Sequence, residues 1–258
     1  MFSSSQALSY TFGGEVSSPP LQLYIESGHA ATYVIPIMRN NVITTGVKRI
    51  DIGGKLLTKL LTQSISTRQV KLQEYFLTAQ SIKEDMCYVS KDFKAELKDN
   101  SIAPEYYVLP DPDIKRKGYK CDKPDESGFL QYICLGKERF IIPEHIFSPS
   151  LSNSSQPGLL AGILASLKSV HEDFYGPLLK NIVIHGGNTL FPGFKERFDK
   201  EIRENSDSFV VPHSQHIRDR DGPYRALNEI TMSDWFENTC YCRGLYNEIG
   251  YAQMSSLF

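Results

Sequence analysis

Asn181-Ile-Val-Ile-His-Gly-Gly-Asn-Thr-Leu-Phe-Pro-Gly-Phe-Lys-Glu-Arg-Phe198 reads as a buried strand, a tight glycine turn and a helix start in one uninterrupted run. Ile182, Val183 and Ile184 are apolar and β-branched without alternation, the pattern of a strand covered on both faces. Gly186 and Gly187 lack a Cβ, so their backbone N–H groups can approach a ligand closely. Pro192 suits the first turn of a helix, and Phe194, Phe198 and Ile202 recur at every fourth position on one face. Such a unit can hold an anion or a nucleotide at the helix start. On the same physics it can also be an ordinary strand-to-helix connection.

The surrounding chain bounds what that unit can serve. Its 258 residues are 41% hydrophobic and 22% charged, with 14 Tyr and 14 Phe, an ordinary globular composition. A net charge of −2 gives no overall basic signature for nucleic acid, so a histone or DNA contact would be local or made through partners. No apolar run approaches the ~18 residues that span a bilayer, and no basic region followed by an apolar core marks the N-terminus as secretory. The cysteines, Cys87, Cys121, Cys134, Cys240 and Cys242, are odd in number and lack zinc spacing, which points to reduced thiols in the cytosol or nucleus and to no metal site.

Residues 1–20 are rich in Ser, Gly and Pro and read as a flexible lead-in to one domain over 21–258. Leu21 to Ile25 and Ala31 to Met38 read as paired strands of a hairpin with Glu26-Ser27-Gly28 at its tip. Val47 to Ile52 is a short strand ending in Gly53-Gly54, after which Leu56, Leu57, Leu60 and Leu61 share a helical face. A longer helix is predicted over Gln73 to Val89. Residues 92–128 read as polar and irregular, Phe140 to Ile142 as a brief strand, and Pro157 to Leu179 as helices broken near Gly176-Pro177. Phe209 to Pro212 reads as strand, Ser214 to Pro223 as loop, and Met232 to Phe236 as a helix candidate. Strands alternating with helices, with glycine turns at strand ends, argue an α/β layer with its sheet covered by helices.

Three turns then stand out, Glu26-Ser27-Gly28, Asp51-Ile52-Gly53-Gly54 and Gly186-Gly187-Asn188, with Lys83-Glu84 on a helix as a fourth element. A nucleotide needs backbone donors for phosphate, an acidic group for water around a metal ion, and a slot for adenosine. From residues alone, Lys83-Glu84 is a solvated helix face or a binding element, Asp51 a strand-end turn residue, His185 a packed strand residue, and Cys87 core. His213 and His216 read as incidental members of a polar loop. Trp235 and Phe236 read as packing or as a partner contact.

The run from Asn181 to Gly193 resembles, residue by residue, the nucleotide-contacting segment of the actin superfamily. The resemblance covers about Leu21 to Asp207, and weakly the tail. It implies an actin-like, ribonuclease-H-like α/β fold with a mixed sheet flanked by helices. It places Glu26-Ser27-Gly28 at the second phosphate loop, Gly54 near the nucleotide, Lys83 and Glu84 beside adenosine, and Gly186, Gly187, Asn188, Leu190 and Phe191 at the adenine-side turn. Within the superfamily, Val47-Lys-Arg-Ile-Asp-Ile-Gly-Gly-Lys55, Ile82-Lys-Glu-Asp85 and Tyr107-Val-Leu-Pro-Asp111 look like the family of actin-related protein 6. So does the basic insertion Lys115-Arg-Lys-Gly-Tyr119, within 112–128, which conventional actin lacks.

That family is a nuclear subunit of SRCAP/Swr-type remodellers that exchange a variant histone. The resemblance therefore implies a scaffold of the nucleus, with the cytoplasm as a second location, whose partners are other remodeller subunits and, indirectly, histones or the nucleosome. It implies no membrane role, no polymerisation, and a partner surface at Lys115, Arg116 and Lys117. The chain also departs from the pattern. The N-terminal lobe, with its first phosphate loop, has no counterpart, Glu26 replaces Asp, and Tyr33 stands where conventional actin has a water-positioning His. Tyr is an inefficient base near neutral pH. The expectation is no catalytic residue, at most a vestigial ATPase, weak or absent ATP binding, and Mg only with nucleotide. The alternative is a cytoskeletal, actin-like ATP-binding protein.

Overall fold

The computed structural model describes residues 5, 7–9, 20–111, 116–123, 130–152, 154–206, 211–219, 221–232, 236, 243–244 and 247–250. They fall into two units, one of 19–220 and one made of 1–18 with 221–258. Of the expected lead-in, Ser5, Ala7, Leu8, Ser9 and Pro20 are described, the first four buried and Pro20 exposed.

In the larger unit the hairpin forms as the sequence predicts. β1 (Leu21–Ser27) pairs antiparallel with β2 (Thr32–Met38), from Leu21 opposite Met38 to Ser27 opposite Thr32. β2 also carries β3 (Asn41–Val42) and β4 (Lys48–Ile50). After the glycine pair, α1 (Gly54–Arg68) buries Leu57, Leu61 and Ile65, one residue per turn. α2 (Phe76–Met86) follows and is shorter than the predicted Gln73 to Val89.

The stretch 92–128, read as irregular, instead holds three elements among its described residues. They are α3 (Phe93–Lys98), β5 (Glu105–Val108) and β6 (Tyr119–Cys121). Asp92 caps α3 by accepting a hydrogen bond from Ala95 N–H, a local signal that the run of charges obscured. β7 (Tyr132–Leu135) completes a three-stranded antiparallel sheet in the order β6-β5-β7.

The predicted strand at Phe140 to Ile142 is a helix, α4 (Glu138–Glu144). A three-residue apolar run has no resolvable period, and both Phe140 and Ile142 are buried in the helical arrangement. α5 (Leu159–Leu167) packs on β2 and β4, so closely that a Cβ on Gly162 would lie 2.7 Å from Ile50 Cδ1. The expected break at Gly176-Pro177 is absent. Both residues sit in the first turn of α6 (Tyr175–Lys180), where proline's missing N–H has no helical partner to lose. The helices instead part between Lys168 and Glu172.

β8 (Ile182–His185) pairs parallel with β1, and β9 (Ser214–His216) parallel with β8, giving a mixed sheet ordered β3-β2-β1-β8-β9 with β4 on β2. All four β8 residues are buried, as the unalternating run requires. α7 (Phe194–Asn205) buries Phe194, Phe198 and Ile202, roughly 1.5–3 kcal/mol of burial each. It starts after Pro192 rather than on it. Gly193 precedes it at φ +82, and a Cβ there would strike the Val89 carbonyl.

β9 corrects the loop reading of Ser214 to Pro223. Its three polar residues have no strand pattern, and pairing with β8 makes the strand. In the expected strand at Phe209 to Pro212, the exposed Val211 and half-buried Pro212 lie outside any strand, while 209 and 210 lie outside the described residues. In the second unit, α8 (Gly222–Thr231) buries Ala226 and Ile230. It ends before the helix expected at Met232 to Phe236, of which 233–235, including Trp235, lie outside the described residues. No helix of the described residues is long and apolar enough to cross a membrane.

Candidate functional site at the carboxyl ends of the parallel strands

The parallel register of β1 and β8 sets Glu26 opposite His185. The turns that follow, Ser27-Gly28 and Gly186-Gly187, must therefore lie side by side. They are in close contact. Gly186 takes φ +105, and a Cβ there would press into the Ser27 carbonyl, so the position tolerates only glycine. From the next turn, the buried Asn188 reaches back across the strands. Its Nδ2 donates to the Gly28 carbonyl at 2.7 Å and to Ser27 Oγ at 3.2 Å.

The glycine pair before α1 joins the same point. Gly54 N–H donates to the Gly28 carbonyl at 2.9 Å, and Lys55 N–H to that of His29 at 2.8 Å. A Cβ on Gly53 would lie 2.6 Å from Ala31 N, and one on Gly54 would lie 3.1 Å from Asn188 Oδ1 and 3.3 Å from Lys83 Nζ. Lys83, only 4% exposed, donates from Nζ to the Gly54 carbonyl at 3.2 Å. Four segments distant in sequence thus meet around the carbonyls of Gly28 and Gly54.

The hydroxyls there have one consistent direction. Thr32 Oγ1 donates to the Ile52 carbonyl at 2.7 Å, which uses its only proton. Ser27 Oγ, 2.9 Å from Thr32 Oγ1, must then donate to it and accept from Asn188. The chain Asn188, Ser27, Thr32, Ile52 runs one way and ties α1's lead-in to the β8 turn. Thr32 gave no sign in the sequence, being one polar residue in an apolar strand. Thr189 and His216 are a second missed pair. Thr189 Oγ1 bonds the Gly186 carbonyl at 2.7 Å and lies 3.0 Å from His216 Nε2, so His216 is a tie rather than an incidental loop residue.

The structure separates other expected members. Strand alternation puts Glu26 on the face opposite Ser27, beside His185, whose Nε2 lies 4.0 Å from Glu26 Oε2. Burial pushes the His185 pKa below its ordinary value, opposed by the Glu26 carboxylate. Lys83 and Glu84 diverge along α2. Lys83 is buried at the cluster, and Glu84 is exposed and accepts from Gln80 Nε2 at 2.9 Å. Leu190 is half-buried and Phe191 belongs to the hydrophobic core.

Lys115 lies outside the described residues. Arg116 exchanges two backbone hydrogen bonds with Asp111, and Lys117 is exposed, both beside the three-stranded sheet. Tyr33 is half-buried with the Arg49 guanidinium 5.8 Å from its ring centre, and Asp51 is exposed and paired with Arg49. Cys87 is core, its thiol pushed up to about 12 by burial. Among the described residues no group of three His, Cys, Asp or Glu side chains is placed to hold a metal ion.

The turns after β1 and β8 form an open surface beside Gly28, Gly54 and Gly187. Nothing lies within 4 Å of where a Cβ on the exposed Gly187 would sit, so the space above that turn is open. The donors beneath it are directed at protein carbonyls, Asn188 to Gly28 and Lys83 to Gly54.

The amino-acid sequence has counterparts in known proteins. The family model described as Actin matches residues 2–81 and 74–252. Actin-like protein ARP6 of Yarrowia lipolytica is 32% identical over 240 residues, covering 89% of this chain and 60% of the relative. Actin-related protein 6 of Drosophila melanogaster is 31% identical over 245 residues, with the same two shares of 89% and 60%. Actin-related protein 6 of Arabidopsis thaliana is 29% identical over 272 residues, covering 94% and 65%. The chain thus spans less than two thirds of the length of these relatives. It is an actin-related protein, similar to actin-related protein 6, and it belongs to the actin family.

Proposed function

We propose that the chain is a structural and interaction subunit of a nuclear SRCAP/Swr-type chromatin-remodelling complex that exchanges a variant histone. Its partners are other subunits of that complex, and the nucleosome is met through them. One observation carries the reading. The residues that align with nucleotide contacts use their donors on the protein itself, Asn188 on Gly28, Gly54 on Gly28 and Lys83 on Gly54. A cluster arranged in this way holds four segments together and has no need of turnover.

A nucleotide, if bound, would rest against Gly28, Gly54 and Gly187, with Lys83 below. Its phosphates would supply a charge that tightens the same junction. Glu26 faces His185 rather than this wall, which leaves the wall without a carboxylate to position a metal-bound water. The chain is accordingly no enzyme in this reading, and it does not polymerise.

Purification of the tagged chain from nuclear extract tests the reading. It predicts co-purification of a remodeller ATPase and the variant histone. Recovery with cytoskeletal proteins instead, or pelleting as filaments with ATP and magnesium, contradicts it.

A further inference from the structure

The two edges of the sheet β6-β5-β7 are treated differently. On β7 the outer edge is sealed by a side chain. Gln69 Nε2 donates to the Cys134 carbonyl at 2.6 Å, and Cys134 N–H donates to Gln69 Oε1 at 2.7 Å, so one amide stands in for a neighbouring strand. On β6, among the described residues, no strand pairs with the outer edge. An unpaired edge is a template for another strand, and proteins cover it or blunt it with charge.

The face next to that edge is aromatic. Val108 on β5 lies opposite both Tyr119 on β6 and Tyr132 on β7, which sets the two tyrosines in one row across the sheet. They are 44% and 41% exposed, and Tyr106 meets Tyr132 edge-on at 5.7 Å. Exposed tyrosines in a row offer apolar area with a polar tip, the composition that favours protein contacts.

The edge is also positive. Over residues 116–123 the cations Arg116, Lys117, Lys120 and Lys123 stand against one carboxylate, Asp122, which leaves +3 in a chain of net −2. Lys120 is answered by Glu105 at 2.6 Å. Lys117 and Lys123 are exposed and form no ion pair among the described residues.

We propose that the open edge of β6, with Tyr119 and Tyr132 beside it, receives an acidic segment of a partner protein as an added strand. This deepens, and rests on, the reading of the chain as an interaction subunit. Strand addition supplies main-chain hydrogen bonds, and because Lys117, Tyr119 and Lys123 are spaced by even numbers of residues, one face of the segment can set apolar groups against Tyr119 and, to either side of them, carboxylates toward Lys117 and Lys123. A nucleic acid fits less well, because a phosphate at every unit would also face Glu105, Asp111 and Asp122.

The test uses the 258-residue chain and a fluorescein-labelled peptide in which polar residues alternate with a face that reads Glu, Val, Tyr, Glu. Anisotropy should show binding that weakens with added salt and that falls about tenfold for the double variant K117E/K123E. A peptide of the same charge with Pro at alternate positions, which cannot complete a strand ladder, should not bind. Equal binding by wild type and K117E/K123E, no binding of the alternating peptide, or tighter binding of a single-stranded oligonucleotide each overturns the proposal. Recovery of the remodeller complex with no peptide binding refutes the added strand and leaves the subunit reading intact. Peptide binding without the complex refutes only the subunit reading.

Discussion

The strand-end junction and the β6 strand are both dense in polar side chains, and they direct them oppositely. At the junction, Asn188, Ser27, Thr32 and Lys83 all end on protein acceptors and are buried. On β6 and its flanks, Lys117 and Lys123 face solvent. The difference teaches where conserved-looking motifs cease to indicate chemistry. A motif residue whose donors are satisfied internally contributes to stability, and a motif residue facing water remains open to a partner.

The comparison can be broken most sharply at Gly186. Gly186→Ala forces a Cβ against the Ser27 carbonyl at a positive φ, and should cost about 2–4 kcal/mol, read as a lowered urea midpoint. An unchanged midpoint would mean that the two turns are not locked together. Asn188→Ala leaves the Gly28 carbonyl with one donor fewer and Ser27 Oγ without its donor, an expected loss of about 1–3 kcal/mol by the same measurement. A loss well below that range would place the junction among solvated surfaces.

Acidification gives a smaller effect with a defined sign. Burial holds His185 below its ordinary 6.5, and burial with the nearby Arg218 and Lys195 charges does the same for His216. Both therefore bind a proton less readily when folded than in the unfolded chain, which takes up protons near the ordinary value. Their contribution to stability is complete above about 6.5 and is lost as the pH falls below it toward the folded values. Melting temperatures should drop between about pH 7.5 and pH 5, and His185→Gln should flatten that drop. A melting temperature that rises on acidification would show that the histidines gain charge on folding. The smallest effect is expected on β6, where K117E/K123E should shift the urea midpoint by no more than about 0.5 kcal/mol, because neither lysine is buried or paired among the described residues. A large shift would make the basic edge structural after all.

Much of this was legible in the chain. The hairpin, the buried β8 run and the Phe194, Phe198, Ile202 face followed from period and β-branching, and three of the four converging elements followed from glycine turns at strand ends. What was not legible has a physical cause in each case. Ser214–His216 becomes a strand through pairing with β8 alone, and a polar triplet carries no such signal. Phe140-Ile-Ile142 is too short to display a period, and helix won through burial of Phe140 and Ile142. The actin resemblance placed Lys83 and Glu84 together beside adenosine, but neighbours on a helix point about 100° apart, and only Lys83 reaches the junction. Glu26 and Ser27 are separated in the same way by the pleat of β1.

The central claim is that the actin-like junction of this chain is a structural clamp in which Asn188 and Lys83 donate to protein carbonyls. Titration of ATP with magnesium into the purified 258-residue chain by calorimetry tests it most directly. The account predicts binding no tighter than about 100 μM and no phosphate release, whereas a dissociation constant below about 1 μM would contradict it.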